Sequence, residues 1–427
     1  MSKKKSWFKI DNAGKIYPSI MSTRVSTVYR LSVTLKNRVH PKILQEALDI
    51  TVPRFPYFHV NMRRGFFWYY FVHSQQRAIV EEERYDPCMF MYFKNRKKLP
   101  YRVLYFKNKI SLEMSHSITD GTGSMTFFKT LIVEYFRLLG IKSEPIQGIF
   151  DVKSAVDLEE YEDAFQKYYN KHIPFIEKLP NAMHFPFDMY PKGVYSVVTG
   201  IVDSDKLYKI AKLKYGVTVT QFLVGLYFSS IQDYLYDLPP RKRRRHWRPI
   251  CINVPVNLRG LYPTKTLRNF FISLIPSIDP RLGKYSFEEI LTYVTYYMEM
   301  HINKRYISQY LSRNVRNEKS WYIRIIPLNI KDLLMPTIYH KYGERSYTSS
   351  ISNLGIVKMP KELEPYIERF EMYPPPSKGS KIKVGVVAFK DKTYINFGSI
   401  AVSREIEKYF FRKLRKMGLH VKIETNH

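Results

Sequence analysis

The chain has 427 residues, and its 69 Lys and Arg against 38 Asp and Glu leave a formal net charge of +31. Because 45% of the residues are hydrophobic and 15% are aromatic, the chain can build a large core, which excludes an intrinsically disordered protein. At roughly 150 residues per domain, the length predicts two or three domains, or one large fold built from two halves. The only cysteines, Cys88 and Cys251, fit neither a disulfide framework nor a cysteine zinc site.

The sequence lacks the patterns of membrane insertion and secretion. No run approaches the roughly 18 consecutive apolar residues that a transmembrane helix needs. The basic amino terminus is not followed by the apolar segment of a signal peptide. We therefore expect a cytoplasmic protein, with peripheral attachment to a membrane as the alternative location.

The positive charge excess admits three kinds of partner: a nucleic acid, an anionic membrane surface, or an anionic small molecule such as a phosphorylated cofactor. The densest basic clusters are scattered along the chain, which argues against a single basic arm. They are Lys94, Arg96, Lys97 and Lys98; Arg241, Lys242, Arg243, Arg244 and Arg245; and Arg412, Lys413, Arg415 and Lys416.

Hydrophobic periodicity predicts strands and helices that alternate through the first third of the chain. Residues 24–36 alternate apolar and polar side chains as a half-buried strand does, and apolar residues at helical spacing over 40–52 stop at Pro53. Three further strands are expected over 66–73, 100–106 and 109–115. The strongest helix signal follows, with an apolar face over 128–139 that ends at Gly140.

The alternation restarts after a proline-bearing segment with little periodicity, residues 141–193, which we interpret as a linker. The sequence therefore predicts an α/β or α+β fold with an N-terminal lobe over 1–140 and a C-terminal lobe over 194–427. The strands expected in the second lobe are 194–202, 249–258, 270–278, 346–352, 381–390 and 393–399, and the helices are 205–214, 218–236, 287–304 and 404–418.

The segment HSITDG, residues 116–121, carries the candidate chemistry. His116 ends the strand predicted over 109–115, and the near-neutral pKa of histidine suits it to remove a proton from a hydroxyl, amine or thiol. Asp120 precedes the helix, where it can cap backbone donors or pair with an arginine, and Gly121 permits a turn. A lone histidine and an Asp-Gly pair are also ordinary turn and cap residues, so both interpretations stay open.

In its context, HSITDG resembles the HxxxDG signature of the CoA-dependent acyltransferase superfamily. That superfamily includes chloramphenicol acetyltransferase, the condensation domains of peptide synthetases, plant BAHD acyltransferases and alcohol acetyltransferases. The resemblance continues in PVNLR, a strand that ends at Arg259, and in the segment around Asn269. DNAGKIYP over 11–18 and TSSISNLG over 348–355 look like segments of the alcohol acetyltransferase-like branch, so the similarity spans nearly the whole chain.

The resemblance implies two chloramphenicol-acetyltransferase-like lobes, each a mixed sheet with helices, and an active-site tunnel at their junction. Acyl-CoA and the acceptor would enter the tunnel from opposite sides. His116 would be the general base that deprotonates a hydroxyl or amine acceptor as it attacks the thioester, without a covalent acyl-enzyme. Asp120 would pair with Arg259 and hold the loop, supported by Gly121 and Asn269. No metal is implied.

Ser350, Ser352 and Asn353 are the short polar residues that could stabilise the oxyanion or contact substrate, although they are equally typical of a polar strand end and a turn. The chain also departs from some relatives. It has NFGS where plant BAHD enzymes have DFGWG, Arg268 where they have glycine, and Ser115 where condensation domains have a second histidine. These departures favour a stand-alone, alcohol acetyltransferase-like enzyme over a carrier-protein module.

The alternative hypothesis is a non-enzymatic basic protein that binds nucleic acid or an anionic membrane surface, with HSITDG as a structural turn. Nucleic acid is the less favoured partner, because the aromatic run over 66–70 is more typical of a core strand than of a base-stacking surface. The predicted partners are therefore acyl-CoA, an alcohol or amine acceptor and, peripherally, an anionic membrane. The run from Arg241 to Arg245 suits either CoA phosphates or an acidic bilayer.

Overall fold

The computed structural model describes residues 7–93, 98–173 and 181–427, and it arranges their strands in three sheets. The strands are β1 (Trp7–Lys9), β2 (Val28–Leu35), β3 (Val60–Arg64), β4 (Tyr69–His73), β5 (Val80–Glu82), β6 (Tyr101–Phe106), β7 (Lys109–Ser115), β8 (Ser196–Asp203), β9 (Ile250–Asn257), β10 (Phe271–Leu274), β11 (Ser277–Ile278), β12 (Ser349–Ile356), β13 (Ile367–Tyr373), β14 (Ile382–Phe389), β15 (Lys392–Ser399) and β16 (Lys422–Thr425). The helices are α1 (Tyr17–Ile20), α2 (Pro41–Thr51), α3 (Gly121–Leu138), α4 (Ala164–Lys167), α5 (Ser204–Tyr208), α6 (Val219–Asp237), α7 (Pro240–His246), α8 (Phe287–His301), α9 (Lys304–Lys319), α10 (Trp321–Ile325), α11 (Leu328–Tyr342) and α12 (Glu405–Lys416).

The first large sheet has the strand order β13-β2-β7-β6-β5 and carries the candidate motif at the end of β7. Strands β2, β7 and β6 pair antiparallel, and β6 turns into β7 through a two-residue connection in which Lys107 adopts a φ of +52°. Helices α2 and α3 bury their apolar faces in the core of this sheet. The motif therefore lies between a strand and a helix that are both mostly buried.

The second large sheet has eight strands, with the order β10-β9-β12-β14-β15-β8-β16 and β11 paired to β9. Strand β12 is parallel to both β9 and β14, whereas β14, β15 and β8 pair antiparallel. Helices α6, α8 and α12 bury their apolar side chains in its core. Helix α6 begins with a capping box formed by Thr218 and Gln221.

The two large sheets are connected by a strand from the second half of the chain. Strand β13 pairs antiparallel with β2 in the first sheet. Its Phe370 packs against Phe389 of β14, with ring centroids 5.1 Å apart, and against Phe128 of α3 at 6.4 Å. The division of the chain into an N-terminal lobe ending at residue 140 and a C-terminal lobe beginning at residue 194 stays a prediction. Strand β13 comes from the second half of the chain but completes the sheet that the first half forms.

The mixed α/β fold predicted from periodicity and resemblance is confirmed, and each strand and helix expected around the motif is present with shifted ends. The segment over 141–193 is packed rather than extended where it is described, because Glu160 makes a buried ion pair with Arg54 at 2.6 Å. Lys94, Arg96 and Lys97, from one predicted basic cluster, and part of the linker, 174–180, lie outside the described residues. No helix within the described ranges is long and apolar enough to cross a membrane.

Candidate active site

Asp120 is the N-cap of α3 and accepts hydrogen bonds from both halves of the chain. Its Oδ1 accepts from the backbone N–H groups of Thr122 and Gly123, each at 3.1 Å, as expected at a helix amino terminus. Its Oδ2 accepts from the backbone N–H of Phe270 at 2.9 Å. One carboxylate thus attaches the motif loop to the segment that precedes β10.

The ion pair expected between Asp120 and Arg259 is present. Arg259 donates through Nη1 to Oδ2 at 2.9 Å and through Nη2 to Oδ1 at 3.2 Å, which is the bidentate geometry that a guanidinium favours. The remaining guanidinium donors bind Oδ1 of Asn257 at 3.1 Å and the backbone carbonyls of Thr266 and Arg268 at 2.9 and 2.6 Å. Arg259 is therefore fully engaged in structure, and it holds the residues after β9 against the motif.

Close contacts, rather than an unusual turn conformation, explain one of the two glycines at the start of α3. The sequence predicted that Gly121 permits a turn, but neither Gly121 nor Gly123 has a positive φ. A Cβ on Gly123 would lie 2.0 Å from the carbonyl oxygen of Leu267 and 2.2 Å from Oγ1 of Thr119. A Cβ on Gly121 would meet only the end of the Leu354 side chain, at 2.8 Å. Gly123 is thus a position where the backbones of the two halves approach closely.

His116 lies at the end of β7 among aromatic rings. Its ring stacks on Tyr17 of α1, with centroids 5.3 Å apart and an interplanar angle of 22°, and it contacts Tyr29 of β2 at 4.4 Å. Phe271 of β10 lies 6.1 Å away on the side of the second sheet. These contacts restrict the orientation of the imidazole.

The ring of His116 favours its neutral form. Burial lowers the pKa of His116 to about 4, while the nearby Asp120 carboxylate opposes part of that decrease. Its Nδ1 is buried with no partner at hydrogen-bond distance among the described residues. A neutral imidazole at physiological pH can accept a proton, which is the state a general base requires.

Asn269 connects the motif to the amino-terminal segment of the chain. Its Nδ2 donates to the backbone carbonyl of His116 at 2.9 Å and to the two carboxylate oxygens of Asp11 at 3.2 and 3.0 Å. Asp11 also accepts from the backbone N–H of Gly14 at 2.6 Å. Burial raises the pKa of Asp11 to about 6, although Arg268 acts in the opposite direction. Asn269 therefore fixes the main chain at His116 and lies beside its ring.

The residues near His116 that were not identified from the sequence include Asp11, Tyr17 and Lys383. The first two belong to DNAGKIYP, whose resemblance to an amino-terminal family segment was the available signal. Lys383 lies on β14, and its Nζ donates to the carbonyl of Pro375 at 3.0 Å. Burial lowers the pKa of Lys383 to about 8, and its charge contributes to lowering the pKa of His116. No local pattern in the sequence singled out this lysine.

The three residues suggested for the oxyanion lie on β12, and they differ in what they contact. Asn353 donates from Nδ2 to Oγ1 of Thr220 at 2.9 Å and accepts from the backbone N–H of Gly355 at 2.8 Å, so its amide is engaged in a turn beside α6. Ser350 and Ser352 are partly exposed, and they pair in register with Lys383 and Gly385 of β14. All three residues belong to the β12–β14 strand pair, and Ser350 is the one opposite the lysine near His116.

Two open depressions lie on the surface, one beside Arg137 and Glu362 and one beside Lys212 and Met298. Neither contains a residue of the motif loop, so the active-site tunnel remains a prediction.

The basic run over 241–245 lies in α7. Arg243 stacks on Trp247 at 5.2 Å, and the other four basic side chains are exposed. Within the described ranges, no group of three or more His, Cys, Asp or Glu side chains could hold a metal ion.

Solved structures resemble this chain over nearly its whole length. The first condensation domain of the calcium-dependent antibiotic synthetase aligns with a TM-score of 0.62 and 10% identity, over 96% of this chain and 95% of that domain. TRI3 trichothecene 15-O-acetyltransferase from Fusarium sporotrichioides aligns with a TM-score of 0.61 and 10% identity, over 96% and 93% of the two chains. This protein has the acyltransferase and condensation-domain fold.

A third structure extends the same likeness to a complex with an acyl-CoA. A variant of the starter condensation domain of rhizomide synthetase, solved with C8-CoA, has a TM-score of 0.58 and 11% identity, over 96% of this chain and 94% of that one. The scan against protein-family models and the search of curated proteins found no match. At these identities, the likeness establishes the acyltransferase and condensation-domain fold, and the activity is argued below from the site.

Proposed function

We propose that this protein is an acyltransferase that moves an acyl group from CoA to a hydroxyl or amine acceptor, with His116 as the general base. The observation that carries the proposal is the position of a neutral, ring-packed histidine on a loop anchored from both halves of the chain. Asp120 accepts hydrogen bonds from its own helix, from Arg259 and from Phe270. Such anchoring preorganises the base for proton transfer.

In the proposed reaction, His116 carries one proton from the acceptor to the departing sulfur. His116 removes the proton from the acceptor as the acceptor oxygen or nitrogen attacks the thioester carbonyl, and the carbonyl becomes a tetrahedral oxyanion. When the carbon–sulfur bond breaks, the proton held by His116 passes to the departing sulfur. The products are the acylated acceptor and CoA thiol. No covalent acyl-enzyme is formed, and the histidine returns to its neutral state.

Ser350 and Ser352 are the proposed contacts for the oxyanion or the substrate. They are partly exposed on β12, whereas the amide of Asn353 is held by Thr220 and Gly355. Hydrogen bonds from the two serine hydroxyls to the thioester carbonyl oxygen would strengthen as negative charge develops on that oxygen. Within the predicted set, we therefore assign substrate contact to the two serines and a structural role to Asn353.

The donor and the branch of the superfamily are inferred from separate observations. A structure with the same fold binds C8-CoA, which supports acyl-CoA as the donor. The net charge of +31 suits an anionic substrate with phosphate groups. Ser115 stands where condensation domains have a second histidine, which supports a stand-alone, alcohol acetyltransferase-like enzyme acting in the cytoplasm or at a membrane surface.

The test is release of free thiol from acyl-CoA in the presence of alcohols and amines. We expect His116→Ala to lower kcat/KM by roughly 100-fold or more, because general base catalysis contributes about that factor. His59→Ala is the matched control. His59 is also partly buried beside an aromatic ring, with its Nδ1 3.1 Å from the hydroxyl of Tyr101, but it lies outside the motif loop.

Full turnover by a folded His116→Ala variant would contradict the assigned base. Absence of turnover with every acyl-CoA, together with salt-sensitive nucleic-acid or vesicle binding that His116→Ala leaves intact, would instead support the non-enzymatic alternative.

A further inference from the structure

Helix α11 places two charged residues, Lys331 and Asp332, toward the protein and several apolar residues toward solvent. Lys331 is buried, and its Nζ donates to the carbonyl oxygen of Phe67 at 3.0 Å and lies 3.6 Å from the centre of the Trp68 ring. Asp332 accepts from the hydroxyl of Tyr69 at 2.6 Å. These polar contacts to the β3–β4 hairpin prevent the helix from rotating to bury its other side.

The solvent side of α11 is a continuous apolar stripe. Ile330, Leu333, Leu334 and Ile338 follow one another at helical spacing, and they are 48%, 77%, 46% and 42% exposed. A soluble helix normally shows the opposite arrangement, with charge outside and leucine inside. A contiguous exposed apolar surface marks an interaction site.

Neighbouring segments enlarge this stripe. The turn between β3 and β4 exposes Phe66 and Phe67, by 72% and 40%, and it is joined to α11 by a hydrogen bond from the backbone N–H of Leu328 to the carbonyl of Phe66 at 2.8 Å. Just before α11, helix α10 exposes Trp321 by 71%, Tyr322 by 55% and Ile325 by 59%. We call these residues, with the stripe on α11, the apolar face.

The exposed charges of the chain segment that carries α10 and α11 have one sign. Between residues 319 and 345 the only acidic residues are Asp332, which faces the hairpin, and Glu344, which is buried. The exposed charged side chains of this stretch are all basic: Lys319, Arg324, Lys341 and Arg345. The surface therefore combines exposed aromatic and aliphatic side chains with a cationic rim.

We propose that the apolar face docks on an anionic lipid bilayer. Tryptophan, tyrosine and aliphatic side chains partition into the interfacial region, while lysine and arginine contact anionic headgroups, as in helices that lie in the plane of a membrane. A second copy of the chain fits less well, because in a twofold dimer the cationic rim would face an identical cationic rim. Docking by this face is independent of the acyl transfer proposed above.

The helix that carries most of the apolar face also contacts a segment of the candidate active site. Helix α11 packs on α1, and Tyr17 of α1 stacks on His116.

The test is flotation of the full chain with vesicles of phosphatidylcholine, with and without about 30 mol % phosphatidylglycerol. We expect binding to the anionic vesicles and a decrease of at least about tenfold in partitioning for Leu333→Ser/Leu334→Ser, because each buried methylene contributes to insertion. The matched control is Leu213→Ser/Leu282→Ser, which changes two leucines that are 73% and 80% exposed elsewhere on the surface. It should bind as the unmodified chain does.

A second pair of variants tests the charge. Arg324→Gln/Arg345→Gln should weaken binding to anionic vesicles several-fold and reduce its salt dependence. Thermal unfolding of every variant verifies that the fold is retained. Absence of vesicle binding, equal binding to vesicles without anionic lipid, or a dimer that Leu333→Ser/Leu334→Ser dissociates while vesicle binding is absent would each overturn the proposal.

Discussion

Asp120 caps helix α3, pairs with Arg259 and accepts a hydrogen bond from the distant Phe270. Its carboxylate accepts two backbone hydrogen bonds from α3, two from the guanidinium of Arg259 and one from Phe270. Such a buried charge is stable only while its partners remain, and removal of one partner leaves the other uncompensated. These contacts support the proposal that Asp120 positions the loop of His116.

Lys383 adjusts the proton affinity of His116. Because its positive charge contributes to the low pKa of His116, Lys383→Met should raise that pKa. A general base works only when unprotonated, so the acidic limb of the pH profile of kcat/KM should move to higher pH, by roughly a few tenths of a pH unit. Thiol release measured between pH 4 and pH 7 provides the profile.

Lys381→Met is the control for this shift. Lys381 precedes β14 and donates to the carbonyl of Phe185 at 3.1 Å, and its charge is not among the main influences on the pKa of His116. An unchanged acidic limb in Lys383→Met would contradict the electrostatic link between Lys383 and His116.

At the scale of elements, the amino terminus of α3 is held against the second half of the chain at van der Waals distance. One close approach is at Gly123, where a side chain would meet the carbonyl of Leu267 and the hydroxyl of Thr119. Thr119 itself donates to that carbonyl. The start of the helix and the segment before β10 therefore behave as one unit.

Gly123→Ala should separate these segments. The new methyl group would lie 2.0 Å from a backbone oxygen, so we expect a loss of about 1–3 kcal/mol in the free energy of unfolding, as in other overpacked sites. The hydrogen bonds from Arg259 and Phe270 to Asp120 should lengthen and loosen the loop of His116. The rate of thiol release should therefore fall as well. Urea unfolding and kcat/KM of the same preparation provide the two measurements.

Gly121→Ala is the matched comparison in the same turn of the helix. Its methyl group meets only the flexible end of Leu354, and alanine favours a helix more than glycine does. We expect a change within about 1 kcal/mol. Equal destabilisation by the two substitutions would show that close packing at Gly123 is not the reason for that glycine.

At the scale of the whole molecule, stability depends on pH through a buried carboxyl group in the second sheet's core. Both oxygens of Glu407 on α12 are buried and have no hydrogen-bond partner among the described residues. Burial raises the pKa of Glu407 to about 7. The unfolded chain releases this proton near its ordinary pKa of 4.5, so stability is lost as pH rises from there to about 7.

Glu407→Gln should remove this part of the pH dependence. Relative to the variant, the unmodified protein should lose on the order of 3 kcal/mol of unfolding free energy between pH 5 and pH 8. Urea unfolding at pH 5, 6.5 and 8 measures the difference. Glu288→Gln, on α8 with an exposed side chain and not among the charges that shift the pKa of Glu407, should follow the unmodified protein. Parallel curves for Glu407→Gln and the unmodified protein would refute the assignment.

Much of the site could be predicted because its elements have strong local patterns. The alternation before His116, the apolar face after Asp120 and the resemblance around Arg259 together predicted a strand, a loop, a helix and an ion pair that the structure contains. Lys383 could not be predicted, because its approach depends on how β14 is placed. The reason for glycine at position 123 also depends on a backbone segment more than a hundred residues away.

The sequence by itself determined the mixed α/β class and the motif loop, because periodicity, capping and turn preferences act between near neighbours. Only the tertiary structure decided that β13 completes the first sheet, because strands that are distant in sequence pair according to which elements meet in the fold. The buried charge of Glu371 in β13 also departs from the apolar pattern of a buried strand. Tertiary contacts also decided which side of α11 faces water. Because that helix is apolar on most sides, its hydrophobic periodicity is too weak to predict the buried side. The contacts of Lys331 and Asp332 with the β3–β4 hairpin fix its orientation.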